Sequence, residues 1–228
     1  IREEKVTDIG IEKTEERFDA LYIMDLEEID VENNVVTSSV QNIGVNLTAE
    51  TLASRALNSS FAAVYFPDVF ITDPNTMTNV QVPPSVVVLG AMALNDSVAY
   101  PWFAPAGFTR GALHRVIEAK VKLNRPNLDA LYETDINPIT EFPTNPDKHV
   151  IWGQKTLLAA ASSLDRVNVR RLLIDVRRKV RKVADTFIFE PNRESTLARF
   201  SAAVNPILGR IQQQQGLERF KVQIDATT

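Results

Sequence analysis

The sequence contains no cysteine and only two histidines among its 228 residues. Without a thiol, the chain can form no disulfide, no cysteine-ligated zinc site and no thiolate nucleophile, and two imidazoles are too few for an all-histidine metal cluster. No apolar run reaches the ~18 residues that cross a bilayer, and no basic and apolar leader opens the chain. We therefore expect a soluble protein with a hydrophobic core. Its first residue is Ile rather than Met, so we also expect an excised piece whose true ends are missing.

The charges of the two signs are separated along the sequence. The chain has 25 basic and 29 acidic side chains, a net charge of −4. Residues 1–32 have a net charge of −8, whereas the segment from Asp165 to Asp185 contains eight bases and three acids, a net charge of +5. Such a chain can orient copies of itself head to tail or attract a separate acidic partner. Two separately solvated faces are the alternative.

Short apolar runs rich in aromatic and β-branched residues predict β-strands along the whole chain. The predicted strands are Phe18–Leu26, Phe61–Phe66, Val69–Thr72, Ile136–Thr140, Val150–Leu157, Phe187–Phe189 and Phe220–Ile224. Pro138 is expected to interrupt one of them, and Gly153 to form a bulge in another. The sequence Asp73-Pro74-Asn75 predicts a turn, and residues 33–45 and 101–111 predict loops.

Helical periodicity alternates with these strands. The predicted helices are 48–57, 85–94, 128–134, 168–184 and 197–211. Thr48 and Ser85 are the expected N-caps of the first two helices, and Gly216 is expected to end the last one. Pro206 is expected to kink that last helix or to begin a second one. The alternation indicates an α/β, mixed α+β fold with a central mixed β-sheet flanked by helices.

The clearest helix, residues 168–184, separates apolar from basic side chains. Its apolar residues fall within about 100° of arc on a helical wheel. They are Val169, Leu172, Leu173, Val176, Val180 and Val183. The other faces carry the candidate partner-binding residues Arg170, Arg171, Arg177, Arg178, Arg181 and Lys182. The helix at 197–211 is the runner-up surface.

Arginine indicates what kind of partner this basic surface would bind. A guanidinium group pairs bidentately with carboxylates, so an acidic protein partner fits best. Nucleic acid phosphates and a merely solvated face are the alternatives. The net negative charge of the chain counts against nucleic acid, because nucleic-acid-binding domains are typically basic overall.

No motif in the sequence is typical of nucleotide binding or nucleophilic catalysis. The run Gly153-Gln154-Lys155-Thr156 departs from the GxxxxGK[ST] form of a phosphate-binding loop, since a glutamine separates Gly153 from Lys155. His114 has no serine or aspartate constellation nearby, and His149 lies in a proline-rich loop. Both histidines fit ordinary polar residues.

A hydrolase acting on cell-wall glycan is the enzymatic alternative, because paired carboxylates perform glycosidic chemistry. The acids that could supply such a pair are Asp25, Glu27, Glu28 and Asp30. Their spacing is more typical of a solvated strand end. We therefore predict a protein that is not an enzyme and that has no catalytic, cofactor-binding or metal site.

Several distinctive stretches follow one another along the chain. They are Phe61–Pro67, Val82–Gly90, Asp96, Trp102–Gly111, Ile136–Ile139, Val150–Leu157, Val167–Leu172 and Phe187–Asn192. Together and in this order they resemble the tail sheath proteins of contractile bacteriophages, a family that includes the sheaths of R-type pyocins and type VI secretion systems. The resemblance runs from about residue 18 to the end of the chain. Where family members often have WGxRT, this chain has Lys155 in place of Arg, and we expect that position to support packing or one hydrogen bond.

The resemblance implies a structural protein of the virion tail, assembled in the host cytoplasm. Sheath subunits stack as hexameric rings in a helical tube around the tail tube, and each lends terminal strands to the sheet of a neighbour. Contraction then drives the tube through the bacterial envelope for genome delivery. The implied partners are further copies of the chain, the tail tube protein, and the baseplate and tail terminator proteins. No cofactor, membrane insertion or direct nucleic acid contact is implied.

The resemblance also implies one sheath core domain over residues 1–228. Within it, 1–47 would be an acidic peripheral part and 48–228 the core, with the terminal arms missing. The alternating segment Phe220–Ile224 fits an open strand edge that templates another chain. Trp102 and Trp152 are expected to pack in the core. A sheath of a pyocin-like or type VI-like injection system, and a nucleic-acid-binding module, are the alternative functions.

Overall fold

The computed structural model describes residues 2–30, 32, 35, 43–143 and 148–224, with the backbone alone at residues 2–6. Its helices are α1 (Arg2–Arg17), α2 (Val45–Ser54), α3 (Pro84–Val98), α4 (Gly107–Arg110), α5 (Arg125–Glu133), α6 (Val167–Ala184) and α7 (Glu194–Gln213). Its strands are β1 (Tyr22–Met24), β2 (Ala62–Phe66), β3 (Val69–Thr72), β4 (Asn79–Val82), β5 (Val116–Ala119), β6 (Ile136–Glu141) and β7 (His149–Ile151). The predicted mixed α/β class is confirmed, and the predicted loop 33–45 lies largely outside the described residues.

The chain divides into two compact units, residues 1–170 and 171–228. All the strands among the described residues belong to the first unit. The division predicted at residue 47 stays a prediction, although residues on both sides of it share one core. Ile11, Met24 and Ile43 are buried in the same cluster as Val64 and Leu131.

The larger sheet has four strands in the order β1-β2-β6-β7. Strands β1, β2 and β6 are parallel, and β7 is antiparallel to β6. Pro138 lies inside β6 opposite Phe66, and the strand continues through it to Glu141, so the predicted interruption is wrong. Parallel neighbours need crossover connections, and α2 connects β1 to β2 in this way.

Strand β2 separates the two hydrophobic cores of the first unit. Ala62, Val64 and Phe66 belong to one core and Ala63 and Tyr65 to the other, and all five are at most 1% exposed. Successive side chains of a strand point to opposite faces, so burial of both faces requires a continuous apolar run rather than an alternating one. The strand predicted at 61–66 is confirmed.

The smaller sheet is antiparallel, with the order β4-β3-β5. The predicted turn at Asp73 is confirmed and connects β3 to β4. It is stabilised by a 2.9 Å hydrogen bond that the Asp73 carboxylate accepts from the backbone N–H of Asn75. Strand β3 was predicted, but β4 and β5 were not. Both are short and carry polar residues, and β4 is an edge strand that is largely exposed.

The first two predicted helices exist, but their predicted caps are wrong. Helix α2 begins at Val45, so Thr48 lies inside it, buried, where its hydroxyl accepts a 3.1 Å hydrogen bond from the Ile29 N–H. Helix α3 has Pro83 as its N-cap residue. Ser85 is the second residue of the helix, and its backbone N–H and its hydroxyl donate to the carboxylate of Asp25, at 2.8 and 2.6 Å. The cap therefore comes from the end of β1.

Helix α1 was not predicted, and it changes the interpretation of the segment that follows. The helix continues to Arg17, and Phe18 takes a left-handed conformation with φ of 57°. The predicted strand 18–26 is therefore reduced to Tyr22–Met24. Gly10 of α1 faces the Tyr22 ring so closely that a Cβ there would lie 2.8 Å from it.

Two other predicted strands are wrong, and a third is shorter than predicted. A short 3-10 helix covers Asp185–Phe187, and the residues after it form a turn rather than the predicted strand. Residues 220–224 also form no strand. Strand β7 ends at Ile151, and Gly153 forms no bulge. An apolar alternation becomes a strand only where another strand is available for pairing.

The last two predicted helices are confirmed as α6 and α7. Helix α7 runs as one helix through Pro206, so no second helix begins there. The N–H of Gly216 donates to the Ile211 carbonyl at 2.9 Å, while Gln215 takes the left-handed conformation with φ of 62°. Gly216 thus closes the helix end as predicted, although the residue with positive φ is its neighbour.

The helix predicted at 128–134 is also confirmed, as α5, which begins three residues earlier. Asn124 caps it in a reciprocal capping box with Asn127. The predicted loop 101–111 is irregular except for the single turn of α4. Gly111 is needed there, because a Cβ would lie 2.6 Å from the Ala106 Cα.

Candidate interaction surfaces

Four of the six predicted basic residues form an exposed surface on α6. Arg177, Arg178, Arg181 and Lys182 are exposed, and we call these four the basic surface of α6. Arg171 is half-buried. The other lysine of this helix segment, Lys179, pairs with Asp175 at 2.5 Å. The role of the basic surface stays a prediction.

The structure places Arg170 away from this surface. Arg170 is 8% exposed, its guanidinium carbon lies 3.8 Å from the centre of the Phe61 ring, and it donates to the Ser60 hydroxyl. Burial lowers the pKa of Arg170 from its ordinary value. Val167, Arg170 and Ile174 are all buried, whereas Leu173 is 40% exposed. The helical wheel based on the apolar residues alone therefore wrongly places Arg170 on the solvent side, because the long side chain of an arginine can itself pack in a core.

Asn137 connects two of the stretches that carry the sheath resemblance. It is 1% exposed in β6, and its side-chain amide donates to the carbonyls of Val64 and Lys155, at 2.9 and 2.8 Å. Its side-chain oxygen accepts from the Lys155 N–H at 2.6 Å. A Cβ on Gly153 would lie 2.8 Å from that oxygen, so only glycine fits there. These contacts join residues 136–139 to residues 150–157.

Lys155 makes more contacts than the single hydrogen bond expected of it. Its ammonium group donates to the Tyr132 carbonyl at 2.7 Å and to the Asp135 carboxylate at 2.8 Å. The same nitrogen lies 3.8 Å from the centre of the Tyr132 ring. Lys155 therefore ties the end of α5 to the segment after β7.

Trp102 and Trp152 differ in burial, so the prediction that both pack in the core is half right. Trp102 is 5% exposed and stacks on Tyr100 at 4.9 Å. Trp152 is 44% exposed and packs instead in a surface cluster with Phe108 and Phe142, with ring centres 4.7–5.3 Å apart. We call these three rings the aromatic cluster.

A cleft of about 320 Å³ opens beside the aromatic cluster. Its lining includes Tyr132, Pro138, Trp152, Gln154, Lys155 and Arg166. The side-chain oxygen of Gln154 is buried without a hydrogen-bond partner in the described part of the chain. No local stretch of sequence indicates this cleft, because its walls come from five separate segments.

The outward face of α3 is a second exposed apolar surface. Val86, Leu89, Leu94 and Val98 on it are 45–70% exposed, and Asp96 is the one charged residue in the helix. A helix that is apolar all round is typical of burial on all sides. The sequence Pro84–Val98 is apolar on every face, and this pattern could have indicated that the outward face of α3 is an exposed apolar surface.

The candidate acid–base residues have structural contacts. The Asp25 carboxylate accepts from Ser85, and Glu28 is 5% exposed and pairs with the buried Lys120. The predicted solvated strand end is therefore wrong for Glu28. Over the described ranges, no group of three or more His, Asp or Glu residues could bind a metal ion. Within the same ranges, every helix is too short or too polar to cross a membrane.

Exposed apolar side chains that share one face, as on α3, are typical of surfaces that contact other chains, so this chain fits the class of structural assembly proteins. No family model matches the chain. Its sequence, however, is 37% identical over 140 residues to the tail sheath protein of Vibrio phage KVP40, a match that covers 61% of this chain and 21% of the relative. It is 29% identical over 171 residues to the tail sheath protein of Enterobacteria phage T4, covering 75% of this chain and 26% of the relative.

Solved structures give the same result. The sheath complex of an extracellular contractile injection system, PVC, in its contracted state superposes with a TM-score of 0.64 and 31% identity, covering 76% of this chain and 47% of that one. The contracted helical sheath of the anti-feeding prophage gives 0.61 and 29%, covering 73% and 44%. The chain is therefore similar in sequence and fold to contractile tail sheath proteins, as its motifs predicted. It spans 21–26% of the length of the curated relatives that it matches.

Proposed function

We propose that this chain is the core of a structural subunit of a contractile tail sheath, which polymerises in helical rings around a tail tube. Contraction drives the tube through a bacterial envelope for genome delivery. The observation that carries the proposal is the agreement of sequence and fold with tail sheath proteins. The partners would be neighbouring copies, the tail tube protein, and the baseplate and tail terminator proteins.

The permanent joint between subunits would be strand addition to a sheet edge. Strand β4 is one of the two outer strands of the smaller sheet, and β1 is one of the two outer strands of the larger one. An edge strand offers backbone N–H and C=O groups to a strand from another chain. Strands that remain paired while subunits rotate would let the lattice change radius without dissociating.

The extended sheath would be held at small radius by ionic contacts with the tube. An exposed ion pair contributes about 0–1 kcal/mol, so a single contact of the basic surface of α6 has little effect. Many identical subunits make the sum decisive, and ring-by-ring loss of these contacts would release contraction as a wave. The opposite charges of residues 1–32 and α6 also suit head-to-tail contacts between copies.

Reversing two charges on the basic surface tests this role. In an Arg177→Glu/Arg181→Glu variant of the sheath protein, we expect few extended tails, because two attractive contacts per subunit become repulsive. Negative-stain electron microscopy would count extended, contracted and bare tails. Extended tails in normal number would remove the basic surface from the proposal.

The matched control makes the same charge change elsewhere. Arg115 and Lys122 are also exposed, and both lie in the first unit outside α6. An Arg115→Glu/Lys122→Glu variant should form extended tails in normal number. Equal loss in both variants would mean that net charge, rather than the basic surface, controls assembly.

A sheath of an extracellular injection system is the second candidate, and one observation favours it. The solved structures that match with 28–31% identity come from the PVC and anti-feeding prophage systems. Purified particles would distinguish the two, since a phage tail is attached to a DNA-filled head.

A further inference from the structure

The cleft beside the aromatic cluster has the features of a peptide-binding site. Trp152 and Tyr132 are 44% and 53% exposed there, and the Lys155 ammonium covers one face of the Tyr132 ring. Lys155 and Arg166 also line the cleft, paired with Asp135 at 2.8 Å and with Asp165 at 3.2 Å. The Gln154 side-chain oxygen is a buried acceptor without a donor among the described residues. A volume of about 320 Å³ is at the lower end of the range for binding pockets, and it fits a few side chains.

The chain itself contains a segment of matching chemistry. Residues 188–192 are all exposed, and Phe189 is 100% exposed. The segment is fixed at its start, because the Phe187 ring packs edge-on against Phe200 at 5.6 Å and the Glu190 N–H donates to the Phe187 carbonyl at 3.0 Å. Solvation of a whole phenylalanine ring is unfavourable, so an ordered segment that presents one is typical of a contact site. We call residues 188–192 the Phe189 segment.

We infer that the Phe189 segment of one subunit inserts into the cleft of a second copy of the chain. The Phe189 ring would pack against Trp152 and Tyr132, and Pro191 suits an aromatic-lined groove. The Glu190 carboxylate would face Arg166, whose 3.2 Å pair with its sequence neighbour Asp165 is partly exposed and can exchange. Glu190 now lies 3.5 Å from Arg199 at an exposed position, and such a pair is weak enough to exchange. A backbone N–H of the segment would supply the missing donor for Gln154.

This inference rests on the proposed sheath function, because it requires copies of the chain to associate. The two contact surfaces differ from each other, so the contact is heterologous. Repetition of a heterologous contact produces a ring or an open helix rather than a closed dimer. The contact would therefore be one of the interfaces that builds the lattice, separate from strand addition at the sheet edges.

Tryptophan fluorescence can follow the docking directly. Trp102→Phe leaves Trp152 as the sole tryptophan, since the chain has two. As association proceeds, we expect Trp152 emission to shift to shorter wavelength and its quenching by acrylamide to fall. Adding Phe189→Ala should abolish both changes and weaken association at least about tenfold, as measured by sedimentation velocity. Met77→Ala is the matched control, because Met77 is 78% exposed on the other unit, and it should change neither measurement.

A charge exchange shows whether the contact joins two copies. Glu190→Arg and Arg166→Glu should each weaken association, because each brings like charges together. Mixing the two single variants should restore association, since the guanidinium introduced by Glu190→Arg in one protein then faces the carboxylate introduced by Arg166→Glu in the other. A contact within one chain could not be restored by mixing.

The outcomes separate the two proposals. Association that leaves Trp152 exposed, or that is unaffected by Phe189→Ala, would overturn the docking inference and leave the sheath function standing. No recovery on mixing would also overturn it. Absence of any association at all, alone and with a tail tube, would overturn both.

Discussion

An Asn137→Leu variant is expected to unfold with a free energy at least about 3 kcal/mol below that of the unmodified chain. The substitution removes three hydrogen bonds at a site that is 1% exposed. The carbonyl of Val64 and the N–H and carbonyl of Lys155 then lose their side-chain partner. Each buried backbone group left without a partner costs about 1–3 kcal/mol, so the loss exceeds that of one ordinary polar contact.

Chemical denaturation followed by circular dichroism would measure this loss. Asn205→Leu is the control, because Asn205 is exposed and its side-chain amide contacts one serine hydroxyl, at 3.2 Å. A surface substitution of this kind changes stability by about 0.5 kcal/mol or less. A loss below about 1 kcal/mol for Asn137→Leu would show that the segment 150–157 does not depend on Asn137.

A Lys120→Met variant is expected to lose about 3–5 kcal/mol at neutral pH. The Lys120 ammonium and the Glu28 carboxylate form an ion pair in which the two side chains are 6% and 5% exposed. Removing one partner leaves the other charge buried without compensation. The nearby Asp68 adds to the effect, since its carboxylate is also buried enough that desolvation raises its pKa.

The loss should shrink as the pH falls. Burial raises the pKa of Glu28, and the hydrogen bond and charge of Lys120 act in the opposite direction. Without Lys120, the folded-state pKa of Glu28 rises further. A carboxyl whose pKa is raised by folding contributes stability that is complete below its unfolded pKa and is lost as the pH rises through the folded pKa. Denaturation at pH 7.5 should therefore show a larger deficit than denaturation near pH 5.

The double variant Glu28→Gln/Lys120→Met provides the control. Neither the Glu28 carboxylate nor the Lys120 ammonium is then buried, so we expect most of the loss to be recovered and its pH dependence to shrink to the part that Asp68 contributes. A double variant as unstable as Lys120→Met would mean that the lysine's packing, rather than its charge, carries the effect. Equal losses of Lys120→Met at both pH values would contradict the electrostatic account.

Elements determined by their own residues could be predicted from the sequence. The continuous apolar run of β2 and the periodic pattern of α6 each specify one structure locally. The cap of α3 could not be predicted, because Asp25 caps that helix from 60 residues away in sequence. Glu28 likewise lies 92 residues from Lys120. No local pattern encodes a partner at that distance.

In the candidate site, too, some features follow from local sequence and others depend on residues that are distant in sequence. Helical periodicity places Arg177, Arg178, Arg181 and Lys182 on the solvent side, and all four are exposed, while their role in partner binding stays a prediction. Arg170 has the same local context but contacts Ser60 and Phe61, which are distant in sequence. The cleft beside Trp152 depends on tertiary structure alone. Recognition of the family came from the order of the motifs, which does not require any of these contacts.

The position of β2 between two cores has a consequence for how the first unit melts. Neither core can be exposed without removing one wall of the other, so residues 1–170 should unfold in a single cooperative step. The backbone amides of Ala62–Phe66 in β2 should accordingly exchange with deuterium more slowly than those of β4, which lies at an edge of the smaller sheet. Mass spectrometry of peptides from a native-state exchange series would show that gradient.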